Sequence, residues 1–378
     1  MIIKNGLVYG EDFSFKKADI QITGESFGEI APQLPADEKE QIIDAEGLYV
    51  IPGLVDIHFH GCAGYDFCDG TVEAFDAIMQ YEMEHGVTSV SPATMTLSEG
   101  KLAQVFENAG KYENNRGSQI RGITMEGPFV SMAKKGAQNA SYIHRPDMRF
   151  FEKMQKLSGG MIRQVAVAPE EDKDFAFIKE VKEQTCASVA HTTADYDTAA
   201  AAFAAGACHV THLFNAMPPF SHRAPGVIGA AFDAKNVSVE LICDGIHVHP
   251  SMVRAAFAMF GAERICMISD SMMATGMENG DYALGGQPVK VVGRLATLKD
   301  GTIAGSASNL LDCLRVAVKD MGIPLADAVR ACTATPAQSL GFYGECGSIS
   351  AGKSADLVLL DKELNLVQVI CRGAAVHK

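Results

Sequence analysis

A chain of 378 residues with 47% hydrophobic and 21% charged positions has the composition of a globular protein, not of a disordered or fibrous one. Its 32 Lys and Arg against 46 Asp and Glu leave a formal charge of −14 and no basic cluster, so nucleic acid and anionic membrane are excluded as partners on charge grounds. The ten cysteines are scattered without a CxxC pair, which argues against a zinc knuckle or redox dithiol and suits a reducing cytoplasm. Met1-Ile2-Ile3-Lys4-Asn5-Gly6 does not read as a secretory leader, and no run of eighteen apolar residues reads as a membrane span.

In chain order, the first fifty residues read as short β segments at Ile2–Tyr9, Ala18–Ile22, Phe27–Ile30 and Gln41–Val50, broken by turn residues. Apolar runs then alternate with amphipathic helical windows. The strands are expected at Leu54–His60, Val87–Pro92, Ile120–Glu126, Gln164–Ala168, Ala187–His191, Ala207–His212, Val237–Ile242 and Arg264–Ser269. The helices are expected at Val72–His85, Gly100–Tyr112, Asp147–Leu157, Asp172–Gln184, Asp197–Ala205, Ser251–Phe260, Asn309–Met321 and Leu325–Leu340. The expected fold is α/β, a (β/α)8 TIM-like barrel over 51–344 with an insertion around 276–301. No GxGxxG follows the first strand, which argues against a doubly wound sheet. The β-rich runs Ala355–Leu360 and Leu366–Arg372 complete a small β-sandwich domain formed from both termini, 1–50 and 345–378.

Barrels of this kind build their sites where strands end. The first strand ends in His58-Phe59-His60, whose period-two spacing turns both imidazoles to one face where they can share a metal. Glu126, His191 and His212 each terminate an otherwise apolar run. Taken singly, each is as readily a solvated or hydrogen-bonded loop residue; together, two His and one Glu form a catalytic zinc set that leaves a position for water. Asp270 closes the apolar strand Arg264–Ser269, where a carboxylate must be paired, coordinated or hydrogen-bonded. It is the expected general base toward the attacking water.

These residues, with Gly53-Leu54-Val55-Asp56-Ile57-His58-Phe59-His60-Gly61 and the returning Gly352-Lys353-Ser354-Ala355-Asp356-Leu357-Val358, resemble the amidohydrolase superfamily. Met125-Glu126-Gly127-Pro128-Phe129, His212-Leu213-Phe214-Asn215-Ala216-Met217 and Asp244-Gly245-Ile246-His247-Val248 resemble, more narrowly, the N-acetylglucosamine-6-phosphate deacetylases. The likeness implies a metal-dependent enzyme of amino-sugar catabolism and recycling that releases acetate from N-acetyl-D-glucosamine 6-phosphate. It implies that Glu126, His191 and His212 hold a metal, and that His58, His60 and Asp270 permit a second. Zinc is the expected ion; iron, cobalt or manganese would suit the same ligands. Strand four closes without a lysine, which counts against a carbamylated-lysine bridge.

By the same resemblance His247 stands beside the acetyl group and stabilises the developing oxyanion. Arg223 binds phosphate from across the interface of a homodimer, its planar fork engaging two oxygens. Ala137, Gln138, Asn215, Ala216, Ile303, Ala304 and Gly305 contact the sugar, Gln138 standing where some members have a histidine. Two other readings stay open at this point: an amidohydrolase acting on another N-acetylated amino sugar or a cyclic amide, and a non-catalytic barrel scaffold. His85, His144, His209, His222 and His249 are read as solvated or hydrogen-bonded histidines, Cys62 and Cys68 as packing residues, and Met272 and Met273 as core.

Overall fold

The computed structural model describes residues 1–35 and 40–376. The fold is mixed α/β, with two kinds of sheet. The strands Ile2–Tyr9, Phe15–Thr23 and Ser26–Ala31 form an antiparallel meander. Tyr49–Pro52 runs parallel to Ile2–Tyr9 and antiparallel to Leu357–Leu360, so both ends of the chain share one sheet. Leu366–Cys371 and Ala374–Ala375 extend one edge, and Ile42–Asp44 pairs with the start of Ile2–Tyr9. Strand alternation divides this sheet's contacts. Leu357 and Leu359 pack with Ile3, Ile20, Phe27 and Val50 in a small core, while Val358 and Leu360 point the other way into the main core.

The remaining large sheets are parallel. Gln119–Ile120, Val87–Val90 and Leu54–Asp56 form one; Ile123–Met125, Ile162–Val167, Cys186–Val189, His209–Val210, Ser238–Ile242 and Ile265–Ile268 form the other. A parallel bridge between Ala93 and Thr124 links them. At the far side the Asp270 amide donates to the His58 carbonyl at 3.0 Å and the His60 amide to that of Ser271 at 2.7 Å, so the parallel array curls round on itself. Parallel neighbours require crossovers, and these are helical. Thr71, Ser98, Asp147, Asp195 and Asn309 each accept a first-turn amide with the side chain, fixing where five of the helices begin.

Several expected elements differ in extent. The paired strands stop short of His191, His212 and Asp270 because the chain leaves the ladder there, with φ of 43°, 28° and 49°. The helix expected over Asp172–Gln184 spans only Ala176–Val181, since Asp174 and Phe175 hold φ of 56° and 54°. Leu325–Leu340 divides into Leu325–Ala331 and Ala334–Ser339, the second accommodating Pro336 in its first turn, where a missing N–H is harmless. The helix Gly226–Asp233 was not anticipated; its residues 226–231 are all buried, so no polar face produces a period. Around 276–301 the chain forms the antiparallel strands Gly280–Leu284, Gln287–Val292 and Leu295–Thr297. Cys186 and Cys208, on adjacent parallel strands with Cα atoms 6.1 Å apart, are joined as a disulfide, a pairing their spacing of 22 does not reveal. The other eight cysteines are free and buried.

Candidate metal centre

The alternation expected of His58-Phe59-His60 is present: Phe59 is buried in the main core, and both imidazoles turn to the opposite side. Asp56 steadies this segment, one carboxylate oxygen accepting the His58 amide at 3.2 Å and the other the Ser269 amide at 3.3 Å. Glu126 follows Ile123–Met125 and is succeeded by Gly127 at φ +71°, where a Cβ would stand 2.0 Å from Thr96 Oγ1. Glycine alone lets the chain turn there with Glu126 facing inward.

Glu126 is the hub. Its Oε1 lies 3.0 Å from His191 Nε2, 3.2 Å from His212 Nε2 and 3.5 Å from His58 Nε2, and its Oε2 lies 3.4 Å from His60 Nε2. Asp270 Oδ1 is 3.3 Å from His60 Nε2 and 4.0 Å from His58 Nε2. All six residues are buried. Two triads have ligand atoms within 4.8 Å of one another, His58–His60–Glu126 and Glu126–His191–His212, with Glu126 common to both.

The donor set fits divalent metal. His191 commits its Nδ1–H to the Lys134 carbonyl at 2.8 Å, leaving the Nε2 lone pair turned toward the Glu126 carboxylate and, at 3.1 Å, toward His212 Nε2. His58 commits Nδ1 to Glu240 at 2.9 Å, and its buried Nε2 has no hydrogen-bond partner. Acceptors that converge on acceptors, with a buried nitrogen left over, are satisfied together by a cation.

The carboxylates and His58 hold one another toward their charged forms. Burial works against the charge of Glu126, but His58, His191 and His212 outweigh it and hold the carboxyl well below its usual range. Asp270 is lowered in the same way, burial being overcome by the His60 hydrogen bond and the field of His58. For His58, burial is overcome by Glu240 and Glu126, and the pKa is pushed up to about 10. His247 is also raised: burial opposes its charge, but Asp244 accepts from Nδ1 at 2.7 Å and prevails.

Above the ligands opens a cavity of about 540 Å³, in the range of small-molecule sites. His60, Glu126, His191, His212 and Asp270 form its floor, with His58 buried beneath. Ala137, Gln138, Asn215, Ala216, His247, Ile303 and Gly305 line its walls. Arg223 is exposed on the loop 219–224, outside this chain's cavity lining. Ala304 is buried behind the wall rather than on it. The Gln138 amide donates to Glu126 Oε2 at 2.6 Å and accepts the Thr96 amide at 2.7 Å, so it also orients the carboxylate. Motif reading passed over Lys134 and Lys135 on one wall and Leu284 and Asp300 on another, because adjacent lysines in a loop look like any solvated pair. It also passed over Glu240, a carboxylate in the middle of the apolar run 237–242.

A parallel α/β array with a His/Glu/Asp centre at its strand ends is the setting of a metallohydrolase. The chain belongs to the amidohydrolase family, a family of metal-dependent enzymes, whose sequence pattern matches residues 49–376. It is 36% identical over 380 residues to the N-acetylglucosamine-6-phosphate deacetylase of Bacillus subtilis, covering 99% of this chain and 96% of that protein. It is 32% identical over 333 residues to the N-acetylgalactosamine-6-phosphate deacetylase of Escherichia coli O157:H7, covering 87% and 88%. Among solved structures, a mutant N-acetyl-D-glucosamine-6-phosphate deacetylase from Mycobacterium smegmatis in complex with N-acetyl-D-glucosamine-6-phosphate superposes with a TM-score of 0.92 at 32% identity, covering 99% and 98%. No helix among the described residues is long and apolar enough to cross a membrane.

Proposed function

We propose that this chain is a metal-dependent deacetylase that hydrolyses the acetamide of N-acetyl-D-glucosamine 6-phosphate to D-glucosamine 6-phosphate and acetate, in amino-sugar catabolism and recycling in the cytoplasm. Its framework in this reading is a closed (β/α)8 barrel over 51–344, with a small β-sandwich domain from 1–50 and 345–378. The observation that carries the proposal is the convergence of His58, His60, Glu126, His191, His212 and Asp270 beneath one cavity.

Glu126, His191 and His212 would hold one divalent ion, and His58, His60 and Asp270 offer a second position around the shared Glu126. Such an ion, zinc being the expected one and iron, cobalt or manganese suiting the same ligands, would supply Lewis acidity toward water and the acetamide carbonyl. Asp270, held charged at the cavity floor, takes the proton of the attacking water and returns it to the departing amine. Asp244 accepts from Nδ1 of His247 and favours its doubly protonated form, so that Nε2–H donates to the carbonyl oxygen as negative charge develops. Asn215, Ala216, Ala137, Ile303 and Gly305 seat the sugar, and Gln138 keeps Glu126 in register.

The phosphate is met by Arg223 of a neighbouring subunit in a homodimer. Its place outside the lining of its own chain's cavity, beside the 43%-exposed Phe220, supports that assignment. Acetate release from the phosphorylated sugar should greatly exceed release from the unphosphorylated one, and equal rates would remove phosphate from the reading. Because one relative bears the galactosamine name, the galacto epimer belongs in the same assay.

A further inference from the structure

Glu240 lies in the middle of Ser238–Ile242, with Val239 and Leu241 turned outward into the main core and its carboxylate turned inward. The side chain is fully buried, yet it is well supplied with donors. Its Oε2 accepts from His58 Nδ1 at 2.9 Å and from the His212 amide at 3.1 Å; its Oε1 accepts from Gln164 Nε2 at 2.6 Å and stands 3.2 Å from His209 Nε2. His209, also fully buried, meets the Ser339 hydroxyl through Nδ1 at 2.9 Å. The chain Ser339–His209–Glu240–His58 thus runs from the flanking helix Ala334–Ser339 to a ligand at the shared Glu126.

We propose that Glu240, braced by His209, Gln164 and Ser339, is a positioning residue that sets the tautomer and ring angle of His58 and so determines ion binding at the His58–His60–Glu126 position. This rests on the metal-dependent reading above. A carboxylate can only accept, so it holds hydrogen on His58 Nδ1 and keeps the Nε2 lone pair aimed at the ion. Its hold on the His212 amide ties the backbone of the second triad to the same oxygen. Glu240 touches no substrate in this account and acts through His58. His209, read from sequence as a histidine without a role, becomes part of the support.

The test is a double-mutant cycle on zinc affinity, measured by competition with a chromophoric chelator, with thermal melting as a control for folding. Glu240→Gln presents an amide NH2 to a site of donors and favours the wrong His58 tautomer; it should weaken zinc binding by roughly 10–100-fold. In a His58→Asn background the same change should cost less than about threefold, because the group through which it acts is gone. Equal losses in both backgrounds, or no loss in a folded Glu240→Gln protein, overturn the proposal. Should Glu240→Gln not fold, His209→Gln takes its place in the cycle, with a severalfold loss expected only when His58 is present. A wild-type protein that takes up no zinc overturns the metal reading and this proposal together, whereas normal zinc uptake with an inert Glu240→Gln overturns the proposal alone.

Discussion

Asp270→Asn separates proton transfer from architecture at this site. The Asp270 backbone is clamped independently of its side chain: its amide donates to the His58 carbonyl at 3.0 Å and its carbonyl accepts from the Ser306 amide at 2.7 Å. Its φ of 49° is a conformation that asparagine adopts at least as readily as aspartate. The substitution therefore keeps volume and backbone, and removes the ability to take and return a proton together with one carboxylate charge beside His60, which the zinc content monitors. A positioned general base contributes roughly 10²–10⁴-fold, and one group serving both directions belongs near the top of that range. The expected loss is about 10³–10⁴ in kcat/KM, or roughly 4–5.5 kcal/mol of transition-state stabilisation. Acetate release under subsaturating substrate, alongside zinc content and a melting curve, measures all three quantities. A folded, zinc-replete Asp270→Asn protein retaining more than about a tenth of wild-type kcat/KM would refute the assignment of Asp270 as the proton carrier.

Removing divalent ions with a chelator should lower the melting temperature and abolish activity, and zinc should restore both; an ion at about 100 times its Kd stabilises the fold by roughly 2.7 kcal/mol. An unchanged melt would argue against a bound ion. Arg223→Ala should raise KM for the phosphorylated sugar by more than about tenfold, as expected for loss of a charge-assisted bidentate contact. Mixed with Asp270→Asn subunits it should regain activity, since each mixed dimer then holds one intact site; no recovery would mean that Arg223 serves its own subunit. Asp244→Asn leaves burial as the main influence on His247 and lowers its raised pKa, so the alkaline limb of the rate profile should move to lower pH. A limb that stays put would exclude His247 as its source. Phe129→Ala empties a fully buried site against Phe150 and Phe177 and should cost about 3–5 kcal/mol in denaturant unfolding.

Alternation and strand-end chemistry were enough to pick out every residue of the two triads, because a charged or imidazole side chain closing an apolar run contrasts sharply with its neighbours. The succession of parallel strands was legible from alternating apolar runs and helical windows, whereas 276–301 read only as an insertion and its three antiparallel strands are seen in the structure. Less legible were features set by tertiary contact. Gly226–Asp233 carries no polar face, and the break near Cys332 arises from a single residue's φ and ψ. The contacts of Gln138 with Glu126 and Thr96 are likewise set by the fold and could not be read from its motif. Glu240 was hidden in plain view: one acidic residue within an apolar strand is a stronger signal than any loop histidine, since burial leaves it costly unless paired.

The pairing of Tyr49–Pro52 with Leu357–Leu360 has a consequence for biosynthesis. At about 5–20 residues per second, roughly 15–60 s of translation separate Val50 from its partner Leu359. Throughout that interval the nascent chain presents an unfinished edge rich in Val, Ile and Leu, the kind of surface that recruits other strands. Emergence of Leu357–Cys371 from the ribosome is therefore the event that seals the sheet, and a chain lacking this segment would leave that edge open.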